Sequence, residues 1–353
     1  MKARAGRPPG AARATLRRRE RWLLGLALLA LAICFARPGM TIERELYEAV
    51  VVFDVTQSMN VPDRQLDGKP ASRLAFAKQR MRDSLLLLPC GSKLGWAVFT
   101  EYRSFLLVSP VEVCENLAEL RSTLDRIDGR MAWTGGSEVA KGLYSGIAIA
   151  AQLPSRPALV FVSDGHEAPP LNPRHRPAFD GKPGAVKGLI VGVGDEVLSP
   201  IPKVDPLGRP LGFWRADEVL QTDPRSQGRG GSVDGERMVE DDGARVEALP
   251  GATPGSEHLS ALREPYLALL AEETGLGYHR LTRLDAFADA LTGPRLARPV
   301  PARVDLRPAL AALALLSLLG LYLGGVLPGR STSKNSGSTM RFGQRKQPAR
   351  SPS

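Results

Sequence analysis

The sequence predicts a doubly wound α/β domain with a mostly parallel sheet and one antiparallel edge strand, flanked by an N-terminal and a C-terminal transmembrane helix. Three observations predict this architecture. Val-rich runs of strand length alternate with amphipathic helical segments, two of the runs are separated by only a short polar turn, and an apolar segment lies near each end of the chain. Continuous apolar strands of this kind are typical of parallel sheets that helices cover on both faces.

The individual elements follow from the spacing of apolar residues. Continuous apolar runs predict buried strands, whereas apolar residues three and four positions apart predict helices with one buried face. The first such helix places Arg73 on a face other than its apolar one, and a later helix follows "TGGS" with Ser137 as its expected N-cap. The predicted strands are Tyr47–Phe53, Lys93–Thr100, Ser104–Ser109, Ala158–Gly165 and Gly188–Gly194, and the predicted helices lie at 74–88, 117–127, from 137 onward, and within Leu262–Leu281, where a glycine precedes a last strand.

The basic charge of the chain is concentrated in its two tails. Residues 1–21 contain eight Lys or Arg and one Glu, and residues 328–353 contain six Lys or Arg and no acidic residue. The formal net charge of +10 therefore belongs to the tails, since the part between them has slightly more acidic than basic residues. A nucleic-acid-binding face on the folded domain is not indicated, and the tail 328–353 is expected to be disordered.

An apolar segment lies just inside each tail. Ala309–Leu327 has 19 uncharged residues and as a helix would span about 28 Å, which predicts a transmembrane helix. Trp22–Ala36 has 15 residues and is either a short anchor or a signal peptide; the absence of an Ala-x-Ala pattern favours the anchor. Because clusters of Lys and Arg remain in the cytoplasm, the chain is expected in the bacterial inner membrane, with its domain facing the periplasm.

The periplasm is oxidising, which makes Cys90 and Cys114 candidates for a disulfide. Each lies twelve residues from Tyr102, where the predicted hairpin turns, so antiparallel pairing should bring both to the same end of the sheet. The alternative is that both are small buried residues. Residues 224–258 are rich in Gly, Asp, Glu and Arg without periodicity, which predicts a flexible surface excursion and not a second domain.

Oxygen-bearing side chains follow two of the buried strands. Asp54, Thr56 and Ser58 come after the first strand in "DVTQS", and Asp164 ends another in "FVSDG". Such residues often only cap turns. In doubly wound sheets, however, ligands gather at the carboxyl ends of strands where the strand order reverses, and Ser137 at a helix start would reach the same edge. Carboxylates beside hydroxyls form an oxygen-only environment that suits Mg²⁺.

These residues carry a family resemblance. "DVTQSM", "GGS" and "FVSDG", in this order, resemble the three parts of the metal-ion-dependent adhesion site (MIDAS) of von Willebrand factor A (vWA) domains. The resemblance covers residues 47–292 and implies a sheet of order 3-2-1-4-5-6 with the hairpin strand at one edge. It also implies a divalent cation, Mg²⁺ or another such as Ca²⁺ or Mn²⁺, that would be held directly or through water by Asp54, Thr56, Ser58, Ser137 and Asp164.

Two positions depart from the family pattern. Thr56 stands where a serine is usual, and Ser137 stands where a threonine is usual; both keep the hydroxyl group. Thr134 is an alternative to Ser137. A cation held mainly by neutral hydroxyls and water keeps positive charge and an exchangeable position for a carboxylate of another protein. The sequence therefore predicts a protein-binding module and not an enzyme.

Longer segments resemble narrower groups within the vWA family. "PIPKVDPLGRP" and "LLAEETGLGYHRL" resemble bacterial membrane proteins encoded with MoxR-type ATPases, including those of the aerotolerance type. "LPCGSKLG", "FTEYR", "PVEVCEN" and "RMAW" resemble the A-domain proteins of methanol oxidation clusters, of the MxaL type. This implies an accessory factor in maturation or calcium insertion of periplasmic methanol dehydrogenase, with that enzyme or other A-domain proteins of the cluster as partners. The alternative is a structural subunit of a MoxR ATPase-associated membrane complex with a vestigial metal site.

Other motifs are weaker. "VVFDVT" resembles the first motif of haloacid-dehalogenase phosphatases, but Thr56 replaces the second aspartate that those enzymes need as general acid. His166 and Glu167, which follow Asp164, could line the rim of the site, but an exposed loop pair is the favoured interpretation. Trp96 and Trp133 are expected to serve packing.

Overall fold

The computed structural model describes residues 10–171, 176–205, 207–220, 236–238, 256–282 and 284–326. The chain divides into two compact units. The larger unit is Glu43–Pro301, and the smaller consists of Met1–Ile42 and Ala302–Ser353. The predicted tail 328–353 and most of the predicted excursion 224–258 lie outside the described residues.

A seven-stranded sheet organises the larger unit. Its strands are β1 (Gly39–Asp54), β2 (Lys93–Thr100), β3 (Arg103–Glu112), β4 (Ala158–Ser163), β5 (Gly188–Gly192), β6 (Gly277–Arg280) and β7 (Ala297–Asp305). Six strands lie in the order β6-β5-β4-β1-β2-β3, and β7 pairs with β1. The pairs along this path are parallel except for the hairpin β2–β3. Counted from the hairpin edge, this is the order 3-2-1-4-5-6 that the resemblance to vWA domains implied.

Helices cover both faces of the sheet. The helices are α1 (Gly10–Phe35), α2 (Arg73–Ser84), α3 (Leu117–Arg126), α4 (Val139–Gln152), α5 (Glu264–Thr274), α6 (Leu284–Leu291) and α7 (Arg307–Val326). Helices α2, α3 and α6 contribute to one hydrophobic core, and α4 and α5 contribute to the other. Strand β1 supplies both cores, because Val51 and Phe53 lie in the first and Val50 and Val52 in the second. The predicted mixed α/β class with a mostly parallel sheet is confirmed.

Four short strand pairs and two 3₁₀ turns complete the described elements. Two of them are near the site, the 3₁₀ turn Gln57–Asn60 directly after β1 and the hairpin formed by Pro202–Val204 and Pro210–Phe213 between β5 and α5. The others are the 3₁₀ turn Gly129–Met131 and the pairs Arg64–Leu66 with Lys69–Ala71, Pro177–Phe179 with Glu236–Met238, and Ser199–Pro200 with Leu259–Ser260.

Helix α2 corrects two expectations from the sequence. It ends at Ser84 and not at Leu88. The N–H groups of Leu86 and Leu87 bond three residues back, to Asp83 and Ser84, so the chain continues as turns, and Pro89 disfavours helical geometry at Leu88. Arg73 is the first residue of α2 and is fully buried, with 0% exposure. The apolar spacing in the sequence identified the face of α2 that packs on the sheet. It did not show that the first residue of the helix, Arg73, lies at the carboxyl edge of the strands and pairs with carboxylates.

Cys90 and Cys114 are joined by the disulfide that the hairpin suggested. Their Cα atoms are 5.3 Å apart, and the neighbouring residues Lys93 and Glu112 face each other in the β2–β3 ladder. Both cysteines are exposed, so the alternative of two small buried residues is wrong.

The smaller unit contains the two long helices α1 and α7. Small residues pack where the helices meet, namely Ala27 and Ala30 of α1 and Ala314 of α7. Helix α1 begins at Gly10 and so includes much of the predicted basic tail 1–21. Within the residues that the structure describes, no helix combines the length and apolar character needed to cross a membrane. The two spans expected from the sequence therefore stay a prediction.

Candidate metal centre

The candidate site lies at the carboxyl ends of β1 and β4, which are parallel neighbours. The strand order reverses at this point, since the chain continues from β1 to β2 on one side and from β4 to β5 on the other. Strand β1 ends at Asp54, and β4 ends at Ser163, directly before Asp164. The five residues predicted from the sequence are all buried, with exposures of 2% or less: Asp54, Thr56, Ser58, Ser137 and Asp164.

Asp54 organises the loop that follows β1. Its Oδ1 accepts hydrogen bonds from the backbone N–H of Thr56 at 2.9 Å and from Thr56 Oγ1 at 2.6 Å. Its Oδ2 accepts a bond from Ser163 Oγ at 2.7 Å, which ties β1 to β4. Thr56 Oγ1 lies 3.4 Å from Ser58 Oγ. The carboxylate thus holds the Thr56 hydroxyl next to that of Ser58, a second candidate ligand.

Asp164 is held by an arginine that sequence reasoning did not place at the site. Arg73 Nη1 donates to Asp164 Oδ2 at 2.5 Å, and Ser260 Oγ donates to the same oxygen at 3.2 Å. Arg73 also donates through Nε and Nη2 to Asp63 Oδ2, at 2.9 and 2.7 Å. The other oxygen of Asp164 accepts the backbone N–H of His166 at 2.9 Å. No local motif marks Arg73, because its partners Asp164 and Ser260 are far along the chain.

The two aspartates differ in their charge environment. Burial, followed by repulsion from Asp164, raises the pKa of Asp54 to about 7. Burial is the largest single influence on Asp164 and would raise its pKa, but the charge of Arg73, together with His166 and the hydrogen bonds to the carboxylate, lowers the pKa of Asp164 overall. Arg73 therefore compensates the charge of Asp164, while the hydrogen bonds of Asp54 within the described part of the chain include no cationic partner. Such a buried carboxylate favours a proton or a metal cation beside it.

Ser137 belongs to the site but not as the N-cap that the sequence suggested. Helix α4 begins at Val139, and its N-cap residue is Glu138, whose side chain makes no capping bond. Ser137 Oγ instead donates to the carbonyl oxygen of His166 at 2.8 Å. The backbone of Ser137 also pairs with Ala168, with N···O distances of 2.7 and 2.8 Å. These bonds join the "GGS" loop to the loop that follows β4.

Glu167 supplies the cap that Ser137 does not. Its Oε2 accepts the N–H of Val139 and its Oε1 accepts the N–H of Ala140, both at 3.0 Å. Tyr266 Oη donates to Oε1 at 2.6 Å. The expectation that His166 and Glu167 form an exposed pair is therefore wrong, since they are 2% and 7% exposed. The physical reason is that α4 and α5 bring donors to this loop that the local sequence does not show.

The buried carboxyl of Glu167 leads to a testable pH dependence. Burial raises its pKa from an ordinary value of 4.5 to about 8. The stability that this group contributes is therefore complete below pH 4.5 and is lost as the pH rises through about 8. Relative to Glu167→Gln, the wild type should lose at most about 1.4 kcal/mol of unfolding free energy per pH unit between these limits.

Urea unfolding of both proteins between pH 5 and pH 8 measures this difference. The comparison with Glu167→Gln isolates Glu167, because the raised pKa of Asp54 affects both proteins alike. Glu119→Gln, on the exposed side of α3, is the control and should follow the wild type. Parallel pH curves for the wild type and Glu167→Gln would contradict the prediction.

A cavity of about 360 Å³ lies above the site. Three of the predicted ligands line it, namely Thr56, Ser58 and Ser137, and so does the alternative Thr134. Because Thr134 and Ser137 both line the cavity, the choice between them stays open. Thr134 Oγ1 also accepts the N–H of Gly136 at 3.2 Å. The remaining lining residues are Gln57, Glu101, Gly135, Gly136, His166, Ala168, Pro169, Ile201, Trp214, Glu218, Val219, Leu220 and Glu257.

The two tryptophans predicted to serve packing behave differently. Trp96 is fully buried, and its Nε1 donates to the carbonyl oxygen of Leu120 at 3.1 Å. Trp133 is 58% exposed, so it packs at the surface and not in a core. Its ring contacts Phe105 edge-to-face at 5.0 Å, and its Nε1 donates to Glu101 at 3.0 Å, beside the cavity.

The donor set fits a hard divalent cation. Hydroxyl groups line the cavity, and the uncompensated carboxylate of Asp54 lies directly behind Thr56. Among the described residues, the one group of three or more His, Cys, Asp or Glu side chains with converging ligand atoms is Cys90, Glu112 and Cys114. The sulfur atoms of that group are in the disulfide, so it is not a metal site.

Comparison of the sequence with protein families and with curated proteins finds no match. Solved structures that resemble the chain at a distance include the following three. An aerotolerance-related membrane protein from Bacteroides fragilis has a TM-score of 0.43 and 17% identity, covering 69% of this chain and 96% of that chain. A membrane spanning protein from Vibrio fischeri has a TM-score of 0.25 and 18% identity, covering 70% and 94%.

The third is a von Willebrand factor type A protein from Catenulispora acidiphila, with a TM-score of 0.31 and 9% identity, covering 76% of this chain and 43% of that chain. All three TM-scores are below 0.5.

Proposed function

We propose that the chain is a vWA-type binding protein that captures a carboxylate of a partner protein through a divalent cation. The observation that carries this proposal is that the hydroxyl groups of Thr56, Ser58 and Ser137 line one cavity, while Asp54 and Asp164 are buried at the ends of the adjacent strands β1 and β4. These five residues come from three separate segments and are buried at the edge where the strand order reverses. The residues proposed to hold the cation are Asp54, Thr56, Ser58, Ser137 and Asp164.

A bound Mg²⁺, Ca²⁺ or Mn²⁺ would supply positive charge and a coordination position for the partner's carboxylate. Asp54 holds Thr56 in place, and Arg73 fixes the orientation of Asp164. The proposed role is binding and not catalysis. Thr56 supports this view, because it stands where a haloacid-dehalogenase phosphatase would need its second aspartate.

The partner proposed from sequence resemblance is periplasmic methanol dehydrogenase. On this proposal the chain is an accessory factor in maturation or calcium insertion of that enzyme, acting with it or with other A-domain proteins of the same gene cluster. The support is the set of segments "LPCGSKLG", "FTEYR", "PVEVCEN" and "RMAW". A deletion strain that still produces calcium-loaded, active methanol dehydrogenase would reject this role.

One observation favours the alternative of a structural subunit of a MoxR ATPase-associated membrane complex with a vestigial metal site. Both oxygens of Asp54 and both oxygens of Asp164 already accept hydrogen bonds from within the chain. A site with internally satisfied carboxylates can persist without a metal. Direct measurement of metal binding distinguishes the two functions.

Replacement of Thr56 by valine provides this measurement, because valine has the same shape but no hydroxyl group. We expect Mn²⁺ affinity of the full chain, measured by electron paramagnetic resonance, to fall at least about tenfold. Metal-dependent retention of a partner protein should fall with it, and EDTA should abolish that retention in the wild type.

Thr100→Val is the matched control for Thr56→Val. Thr100 is also fully buried at the carboxyl end of a neighbouring strand, β2, and its Oγ1 has no hydrogen-bond partner among the residues that the structure describes. This variant should bind Mn²⁺ as the wild type does. Absence of Mn²⁺ binding by the wild type, or equal affinities of the wild type and Thr56→Val, would remove the metal from the proposal and favour the vestigial site.

We further propose that α1 and α7 anchor the domain in the bacterial inner membrane, with the domain on the periplasmic side. The support is the uncharged segment Ala309–Leu327, the basic tails, and leucines that both helices leave exposed, among them Leu28 and Leu315. The chain should stay in the membrane pellet after carbonate extraction. Protease added to spheroplasts should cleave within Glu43–Pro301, and protection of this unit would contradict the orientation.

A further inference from the structure

The cavity above the candidate metal centre is larger than a single carboxylate requires. Its volume of about 360 Å³ is in the range of pockets that enclose small ligands, roughly 300–1,000 Å³. The cavity also has two chemically distinct parts. The hydroxyl groups of Thr56, Ser58 and Ser137 form one part, and an apolar wall forms the other, consisting of Ile201, Trp214, Val219 and Leu220.

A hydrogen bond to the loop after β1, which carries Thr56 and Ser58, helps to hold this apolar wall in place. Trp214 Nε1 donates to Gln57 Oε1, and Gln57 lies between the candidate ligands Thr56 and Ser58. The backbone N–H of Trp214 donates to the carbonyl oxygen of Ile201 at 3.0 Å. Lys203 Nζ lies 4.5 Å from the centroid of the Trp214 ring. An occupant that reaches the hydroxyl groups therefore meets the apolar wall at the same time.

The charges around the cavity restrict which occupant can enter. Glu101, Glu218 and Glu257 line it, whereas no lysine or arginine does so in the described part of the chain. Lys203 compensates Glu218 at 2.7 Å, and Arg263 lies 3.9 Å from Glu257. One acidic group of an occupant can bind at the proposed cation. A second acidic group would be repelled by the glutamates that line the cavity. An uncharged, apolar neighbour suits the remaining space.

We propose that the partner presents an acidic residue next to a large apolar side chain. The carboxylate binds at the cation, and the apolar side chain packs against Trp214, Ile201 and Leu220. This inference rests on the proposed function and adds the class of peptide segment that the site accepts. Burial of the apolar side chain supplies affinity that a carboxylate alone would lack.

Short peptides with blocked ends test this inference on the full chain in detergent with Mg²⁺. The probes are Gly-Asp-Leu-Gly, Gly-Asp-Gly-Gly and Gly-Asn-Leu-Gly, and the dissociation constants are measured by nuclear magnetic resonance titration. We expect the Asp-Leu peptide to bind at least about fivefold more tightly than the Asp-Gly peptide, which corresponds to partial burial of one leucine. The Asn-Leu peptide should bind at least about tenfold more weakly than the Asp-Leu peptide.

Two leucines provide matched variants. Leu220 and Leu211 are both 59% exposed, but only Leu220 lines the cavity. Leu220→Ser should reduce the preference for the Asp-Leu peptide to about twofold or less. Leu211→Ser should retain the preference of the wild type. Because both side chains are largely in solvent, neither variant is expected to unfold the domain.

The outcomes separate this inference from the proposed function. Equal affinities for the Asp-Leu and Asp-Gly peptides, with binding that EDTA abolishes, would overturn this inference alone. Equal effects of Leu220→Ser and Leu211→Ser, or no measurable binding of either aspartate peptide, would overturn it as well. Binding of the aspartate peptides that EDTA leaves unchanged would overturn the proposed function.

Discussion

Replacement of Arg73 by methionine is expected to lower the free energy of unfolding by about 3 to 5 kcal/mol, the usual cost of removing one partner from a buried ion pair. The Arg73 side chain is fully buried and donates to Asp164 at 2.5 Å and to Asp63 at 2.7 Å. Methionine retains much of the apolar stem but leaves the buried carboxylate of Asp164 without its counter-charge. Urea unfolding at neutral pH measures the loss.

Arg80→Met is the matched control, because it makes the same change in the same helix. Arg80 forms a partly exposed ion pair with Asp83 at 3.4 Å, and its guanidinium lies 5.0 Å from the centroid of the Phe76 ring. The expected loss is at most about 1 to 2 kcal/mol. Adding Asp164→Asn to Arg73→Met should recover part of the stability, since the unpaired charge is then removed. Equal losses for Arg73→Met and Arg80→Met would show that the buried pair does not have the assigned role.

Removal of the disulfide by Cys90→Ser together with Cys114→Ser is expected to lower the free energy of unfolding by about 3 kcal/mol. The bond closes a loop between residues 24 positions apart, and without it the unfolded chain gains the conformational freedom of that loop. Chemical reduction of the wild type should have the same effect. Unfolding by urea, with and without reductant, measures both.

The third cysteine provides the control for the disulfide. Cys34 is free and lies in the smaller unit, so Cys34→Ser should leave the unfolding of the α/β domain unchanged. Reductant should add nothing to the double serine variant. A wild type that is insensitive to reductant would contradict the prediction.

The fold was predictable because its signals are local. The apolar run of β1 alternates between two cores, with Val50 and Val52 on one side and Val51 and Phe53 on the other, as expected for a strand covered on both faces. The hairpin β2–β3 and the later strands were also evident from apolar runs bounded by turns. Element ends were less predictable. Helix α2 ends four residues before the predicted boundary, where the backbone bonds change to three-residue turns, and apolar spacing does not show such a change.

The candidate ligands were predictable for a related reason. Asp54, Thr56 and Ser58 stand at alternate positions after a buried strand, and Asp164 ends a second one. Parallel strands bring their carboxyl ends to one edge, so residues 110 positions apart can be assigned to one site from the sequence. The role of Ser137 was misjudged, because its hydroxyl group contacts the His166 carbonyl and not the start of α4.

The supporting residues could not be assigned in this way. Arg73 reads locally as a polar residue of an amphipathic helix, but its partner Asp164 is 91 positions away. Glu167 reads locally as part of a polar loop, but Tyr266, 99 positions away, and the N–H groups at the start of α4 bury it. A buried charged group is stable only with partners, and those partners are known only once the chain has folded.

By itself the sequence determined the doubly wound sheet, its hairpin edge and the five oxygen-bearing side chains at the carboxyl edge, because strand period and motif spacing are properties of neighbouring residues. Only the tertiary structure decided that Arg73 compensates Asp164, that Glu167 caps α4, and that Trp214 and Leu220 place an apolar wall beside the hydroxyl groups. These contacts join segments distant in the chain, and their energies depend on burial, which no local pattern specifies.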